Sequence, residues 1–188
     1  MKQEITIEVL CDKERCFKIL EENGFEVRRQ FEMDDYYYTH NVLGEGIEYK
    51  QLIDSSILVR VCSDDKKNVG QLLYKKKAFN RNNEVIGETK IRSQVLDVES
   101  VIKAFNLAGF KNWCIKKALL CVFVKDNREI IVQDVENFGL YIEIEQSECS
   151  EHKQKSTIKQ LIKFAKSLNL PLGDDYFVRI PFEIFKRS

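Results

Sequence analysis

Apolar and polar residues alternate along several stretches of the chain and recur at helical spacing in others. In Glu4-Ile5-Thr6-Ile7-Glu8-Val9 and again in Leu140-Tyr141-Ile142-Glu143-Ile144-Glu145, every second residue is apolar or acidic, the period of a strand with one covered face. Extended patterns of this kind run over about 3–10, 25–38, 57–62, 69–79, 85–96, 113–124, 129–134 and 140–147, which predicts eight strands. Between them lie helical stripes. Cys16, Phe17 and Leu20 form one, Val98, Val101, Ile102 and Phe105 a second, and Ile158, Leu161, Ile162, Ala165 and Leu168 a third over about 152–168, ending before Pro171.

The first two helical patterns are copies in their punctuation. Asp12 precedes one and Gly24-Phe25 follows it, while Asp97 and Gly109-Phe110 bracket the other, with twelve residues from Asp to Gly in each. Asp caps helix N-termini and Gly accepts the left-handed conformation that ends them, so the spacing has a local cause as well as a repeat behind it. Two half-repeats follow, about 1–85 and 86–170, with a tail over 171–188. The expected architecture is α+β: a closed β-barrel of eight mostly antiparallel strands with helices packed outside. At 188 residues with 44% hydrophobic residues, one domain over 1–188 suffices to bury a core. The polar connection over about 40–56, with Gly44 and Gly46, is a loop and not a linker.

Thirty basic and thirty acidic residues cancel, which argues against a nonspecific nucleic-acid binder. The charge is nevertheless segregated. Residues 71–92 hold Lys75, Lys76, Lys77, Arg81, Lys90 and Arg92 against Glu84 and Glu88, whereas residues 134–151 hold six acids and no Lys or Arg. Lys75 and Lys77 share a strand face that Lys76 opposes, so the lysine run does not read as a nucleic-acid patch. Tyr36-Tyr37-Tyr38 fits strand packing better than base stacking. Cys11, Cys16, Cys62, Cys114, Cys121 and Cys149 include no CxxC spacing, and the start of the chain lacks a signal pattern, so reduced thiols in a cytoplasmic protein are expected. His40 and His152 are too far apart in sequence to suggest a histidine site. No apolar run approaches the roughly 20 residues of a membrane span. The aromatic tail, Tyr176-Phe177 through Phe182 to Phe185, is expected to cover a sheet edge or a barrel mouth. An exposed barrel edge or helix face leaves room for a homodimer.

Glu143 and Glu145 share a strand face. Side by side they repel, and they become useful under a divalent cation; a solvated strand face has the same pattern.

Taken in order, Asp35-Tyr36-Tyr37-Tyr38, Leu58-Val59-Arg60, Leu73-Tyr74-Lys75, the second helix, Ile115-Lys116-Lys117, and Asp134 through Gly139 to Glu143-Ile144-Glu145 resemble the CYTH superfamily over nearly the whole chain. That superfamily includes class IV adenylate cyclases, thiamine triphosphatases and inorganic triphosphatases built on a triphosphate tunnel. The resemblance implies that Arg60, Lys75 and Lys117 grip a triphosphate and that Glu4, Glu143, Glu145 and Asp134 stand on the metal side, with Mg²⁺ or Mn²⁺ as cofactor. The implied partner is a triphosphate-containing small molecule: a nucleotide, thiamine triphosphate or polyphosphate.

The first strand departs from the family's E-x-E-x-K run. Thr6 stands in place of the second Glu and Glu8 in place of the Lys, while Leu119 replaces an Arg two residues after Lys117. The segment Glu88-Thr89-Lys90-Ile91-Arg92 leaves its register open. Three readings follow: a metal-dependent enzyme on a triphosphate, either hydrolase or cyclase; a tunnel that binds a nucleotide or polyphosphate without turnover; and a barrel kept for a structural role.

Overall fold

The computed structural model describes residues 4–40, 46–48, 51–52, 56–64, 67–79, 85–126, 128–145 and 157–187. In chain order the elements are β1 (Glu4–Val9), α1 (Lys13–Glu22), β2 (Glu26–Thr39), β3 (Ile57–Asp64), β4 (Lys67–Phe79), β5 (Val85–Val95), α2 (Val98–Leu107), β6 (Lys111–Lys125), β7 (Arg128–Val135), β8 (Gly139–Glu145), α3 (Thr157–Ser167) and α4 (Ile180–Arg187). The eight predicted strands and three predicted helices are all present. The start of the third helix pattern, with His152, lies outside the described residues, as does Cys149. Helix α4 is an addition: the tail reads as an aromatic cover, yet Pro181 sits in a first turn, where a missing N–H costs nothing.

Both repeated helices end as their punctuation dictates. The Asp12 carboxylate accepts from Arg15 N–H at 2.8 Å, and that of Asp97 from Ser100 N–H at 3.0 Å. At the other end Gly24 (φ +81°) and Gly109 (φ +84°) take the left-handed conformation. Phe25 N–H then reaches back to Leu20 O and Phe110 N–H to Phe105 O, each at 3.0 Å, closing the last turn.

The strands form an eight-stranded sheet in the order β1-β8-β7-β6-β2-β3-β4-β5. The β1–β8, β8–β7, β7–β6, β2–β3, β3–β4 and β4–β5 pairings are antiparallel. The order has two ends, so the pairings among the described residues do not show the expected barrel closed. The edge of β1 away from β8 bonds to the segment 171–178. Leu10 N–H donates to Pro171 O (2.7 Å), Gly173 N–H to Glu8 O (2.9 Å), Thr6 N–H to Tyr176 O (3.1 Å) and Val178 N–H to Thr6 O (3.0 Å). The tail thus covers a sheet edge, one of its two expected uses.

The chain forms two compact units. One comprises residues 2–31 and 118–179, the other residues 32–117 and 180–188 with residue 1, so β2 and β6 contribute to both. In the first, α1 and α3 bury Cys16, Leu20, Leu161 and Ala165 against Ile5, Ile7 and Val9 of β1, Leu140, Ile142 and Ile144 of β8, and Ile130, Val132, Cys121 and Phe123 of β7 and β6. Each fully buried Ile or Leu here contributes roughly 1.5–3 kcal/mol. That face of the sheet is the apolar half of the alternation; the acids of β1 and β8 lie on the other.

In the second unit, Leu58, Val59 and Leu73 are almost fully buried. Helix α2 packs Phe105 edge-on to Tyr38 at 5.3 Å. Trp113 donates its indole N–H to Ser56 Oγ at 3.0 Å and meets Phe185 of α4 edge-on at 5.9 Å. No helix among the described residues is long and apolar enough to cross a membrane.

Candidate functional site

The first unit carries an acidic cluster. In the β1–β8 ladder Glu4 is opposite Glu145 and Thr6 opposite Glu143, so the antiparallel register sets Glu4, Glu143 and Glu145 on one face. One carboxylate oxygen from each lies within 4.8 Å of the others, and all three side chains are half-buried. The apolar partners Ile5, Ile142 and Ile144 point the other way and anchor the strands. Gln133 on β7, almost fully buried, donates its amide to Glu143 Oε2 at 2.8 Å and fixes that carboxylate.

This is an all-oxygen donor set with neither thiol nor imidazole in it. It fits a hard divalent cation such as Mg²⁺ or Mn²⁺, which takes one or two carboxylates and leaves its remaining positions for water or phosphate.

Asp134 is placed elsewhere. Residue 133 shares the face of Glu143, so residue 134 falls on the helix-covered face, where its carboxylate accepts from Lys13 Nζ of α1 at 3.1 Å. The reason is the two-residue period of a strand, which separates neighbours in sequence by the thickness of the sheet. Thr6 shares the acidic face and offers a neutral hydroxyl there. Glu8 follows on the same strand face, opposite Tyr141, and adds a further carboxylate to β1.

The second unit carries a cationic cluster built around a buried acid. Asp35 on β2 is fully buried and stands opposite Arg60 on β3. Arg60 Nε donates to Oδ1 at 2.6 Å and Nη2 to Oδ2 at 2.7 Å, a two-point pair. The Tyr37 hydroxyl lies 3.4 Å from Oδ2. Burial alone would raise the Asp35 carboxyl; the charge and hydrogen bonds of Arg60, with the charges of Lys116 and Lys75, outweigh it and hold the group below its ordinary value. Burial would likewise lower the Arg60 guanidinium, and Asp35 drives it up.

By register Asp35, Arg60 and Gln71 share one face, and Lys75 lies four residues along β4 on that same face, opposite Lys90 of β5. The register of the segment 88–92 is thereby fixed: Glu88, Lys90 and Arg92 stand opposite Lys77, Lys75 and Leu73. Like charges directly opposite each other destabilise a ladder unless an anion lies over them.

Lys117 is exposed, whereas Lys116 is 6% exposed and acts on Asp35. The sequence around them does not separate the two, because both alternating sets on β6, Trp113-Ile115-Leu119-Cys121 and Cys114-Ala118-Leu120-Val122, are apolar. Asp35 has a twin in Asp34, and Gln133 is neutral, so neither stood out. Only the pairing of strands distinguishes them.

No protein-family model matches the chain. A putative adenylate cyclase of Methanocaldococcus jannaschii is 22% identical over 169 residues, covering 89% of this chain and 90% of that protein. Among solved structures, a protein of Pyrococcus horikoshii is similar with a TM-score of 0.75 at 18% identity, with 100% of each chain covered. The putative adenylyl cyclase of Hippeastrum, whose structure is described together with a dominant triphosphatase activity, is similar with a TM-score of 0.61 at 14% identity, covering 100% of this chain and 96% of that one. These likenesses show that the chain shares its fold with those proteins.

Proposed function

We propose that the protein is a metal-dependent enzyme acting on a triphosphate substrate, hydrolysing it or cyclising a nucleotide. The observation that carries this reading is the set of three carboxylates, Glu4, Glu143 and Glu145, which bring one oxygen each within 4.8 Å of the others on one strand face, an all-oxygen set of the kind a hard divalent cation takes. Bound there, Mg²⁺ or Mn²⁺ would neutralise phosphate charge and polarise a phosphorus–oxygen bond. The remaining work falls to the chain. Within the first unit Gln133 holds Glu143 in one orientation; within the second, Arg60, Lys75 and Lys116 form a cationic cluster whose charge suits phosphate oxygens. In hydrolysis a water attacks the terminal phosphorus, the bridging P–O bond breaks, and inorganic phosphate and the diphosphate remainder are released; in cyclisation the ribose hydroxyl attacks the α-phosphorus and pyrophosphate leaves. The name of the Methanocaldococcus relative and the triphosphatase activity of the Hippeastrum protein support this substrate class.

A second reading is binding of a nucleotide or polyphosphate without turnover. It is favoured by Glu8, a carboxylate on the acidic face of β1 where the resemblance calls for a lysine. One experiment separates the two. The purified protein is incubated with ATP, thiamine triphosphate or inorganic triphosphate, with Mg²⁺, Mn²⁺ or EDTA, and phosphate and pyrophosphate release are followed beside calorimetric binding. Metal-dependent release supports the enzyme. Binding without release supports the second reading, and neither result would overturn both.

A further inference from the structure

We propose that Asp35 is a positioning residue that locks the Arg60 guanidinium with its end-on edge turned to an anionic ligand. The inference rests on the triphosphate reading for the class of that ligand.

A guanidinium has five N–H donors in a rigid fork. Asp35 engages Nε and Nη2, the side edge, leaving both Nη1 donors and the second Nη2 donor, and among the described residues Nη1 makes no hydrogen bond. That remaining pair of donors is the edge that meets two oxygens of a phosphate in parallel. Arg60 keeps 18% of its side chain exposed while Asp35 keeps none, so the anchor is hidden and the donor is presented. Lys116 and Lys75 act on the same carboxylate, which places three cations around one buried acid.

A buried carboxylate in this place could serve merely as a counter-ion, and the two roles differ in sign. As a counter-ion, Asp35 subtracts from the attraction for an anion, and its removal tightens binding. As a positioner, its removal frees the guanidinium to turn and weakens binding.

The test is calorimetric titration of the full chain with inorganic triphosphate in EDTA, which keeps the carboxylate cluster out of the measurement. Loss of one oriented, charge-assisted contact predicts affinity about ten- to a hundredfold weaker in Asp35→Asn. In an Arg60→Gln background, Asp35→Asn has no further effect, because there is no guanidinium left to orient. Asp35→Glu keeps the charge and moves the carboxylate by one methylene, so it provides the same test should Asp35→Asn fold poorly; weaker binding is again expected. Unchanged or tighter binding in the folded variants, or an equal loss in the Arg60→Gln background, would overturn the inference while leaving the triphosphate reading standing. Absence of binding by the unaltered protein in EDTA would overturn the inference, while the triphosphate reading is decided by the release assay with Mg²⁺ or Mn²⁺.

Discussion

Glu4 and Glu145 face each other across the β1–β8 ladder, with Glu143 next along the same face, so three acids share a patch one cation wide. Opposed like charges cost an antiparallel pair up to about 1 kcal/mol. Glu4→Gln is therefore expected to raise the melting temperature in EDTA and to shrink the rise produced by MnCl₂. Scanning calorimetry under both conditions reads the two effects at once. A variant that is less stable in EDTA and gains as much from manganese as the parent would return this cluster to an ordinary solvated strand face.

Asp35 sets a pH dependence whose sign follows from its environment. Its carboxyl titrates below the ordinary value of about 3.9 in the folded chain, so its ion pair contributes stability that is fully present above that value. That contribution is lost as the pH falls through the lower folded value. The melting temperature is expected to fall below about pH 4, and less steeply in the paired substitution Asp35→Leu with Arg60→Met, which replaces the pair by apolar side chains. Parallel curves for the two proteins would show that the pair carries none of the acid sensitivity.

The segment along the β1 edge can be tested at one atom. Val178 N–H donates to Thr6 O at 3.0 Å, and proline has no N–H to give. Val178→Pro leaves a strand carbonyl without its partner and is expected to cost about 1–3 kcal/mol, whereas Val178→Ala keeps the bond. Urea unfolding of both variants makes the comparison. Equal midpoints would mean that this hydrogen bond contributes nothing measurable.

Gly70 sits where β4 passes beneath the start of α2. A Cβ there would come within 2.5 Å of Val98 Cγ2 and 2.8 Å of Val95 O, and the second contact is with backbone. Gly70→Ala is expected to destabilise by about 1–3 kcal/mol through overpacking, with Val98→Ala restoring part of the loss. Thermal melts of the single and double variants would expose any failure of that compensation.

Elements formed by neighbours in sequence were legible without a structure. The Asp-to-Gly brackets located α1 and α2 because a cap and a left-handed glycine act within a few residues. The alternation of Ile and Glu located β1 and β8 because a strand's period is a property of the chain itself. The acid face of Glu143 and Glu145 followed from the same period, and Glu4 joined it through the family resemblance.

What the sequence left open depended on parity and partners. Lys116 and Lys117 differ by one residue, and only the pairing of β6 decides which is buried toward Asp35. Asp134 falls beside Lys13 on the helix-covered face by the same rule. The sequence pattern also says that a strand has two edges, but not which segment will satisfy them, and here residues 171–178 take the β1 edge. The sequence by itself determined the strands, the helices and their ends, because these follow from contacts a few residues long. Tertiary structure alone decided which charges meet, because burial of a carboxylate such as Asp35 is stable only where strands distant in sequence bring it an arginine.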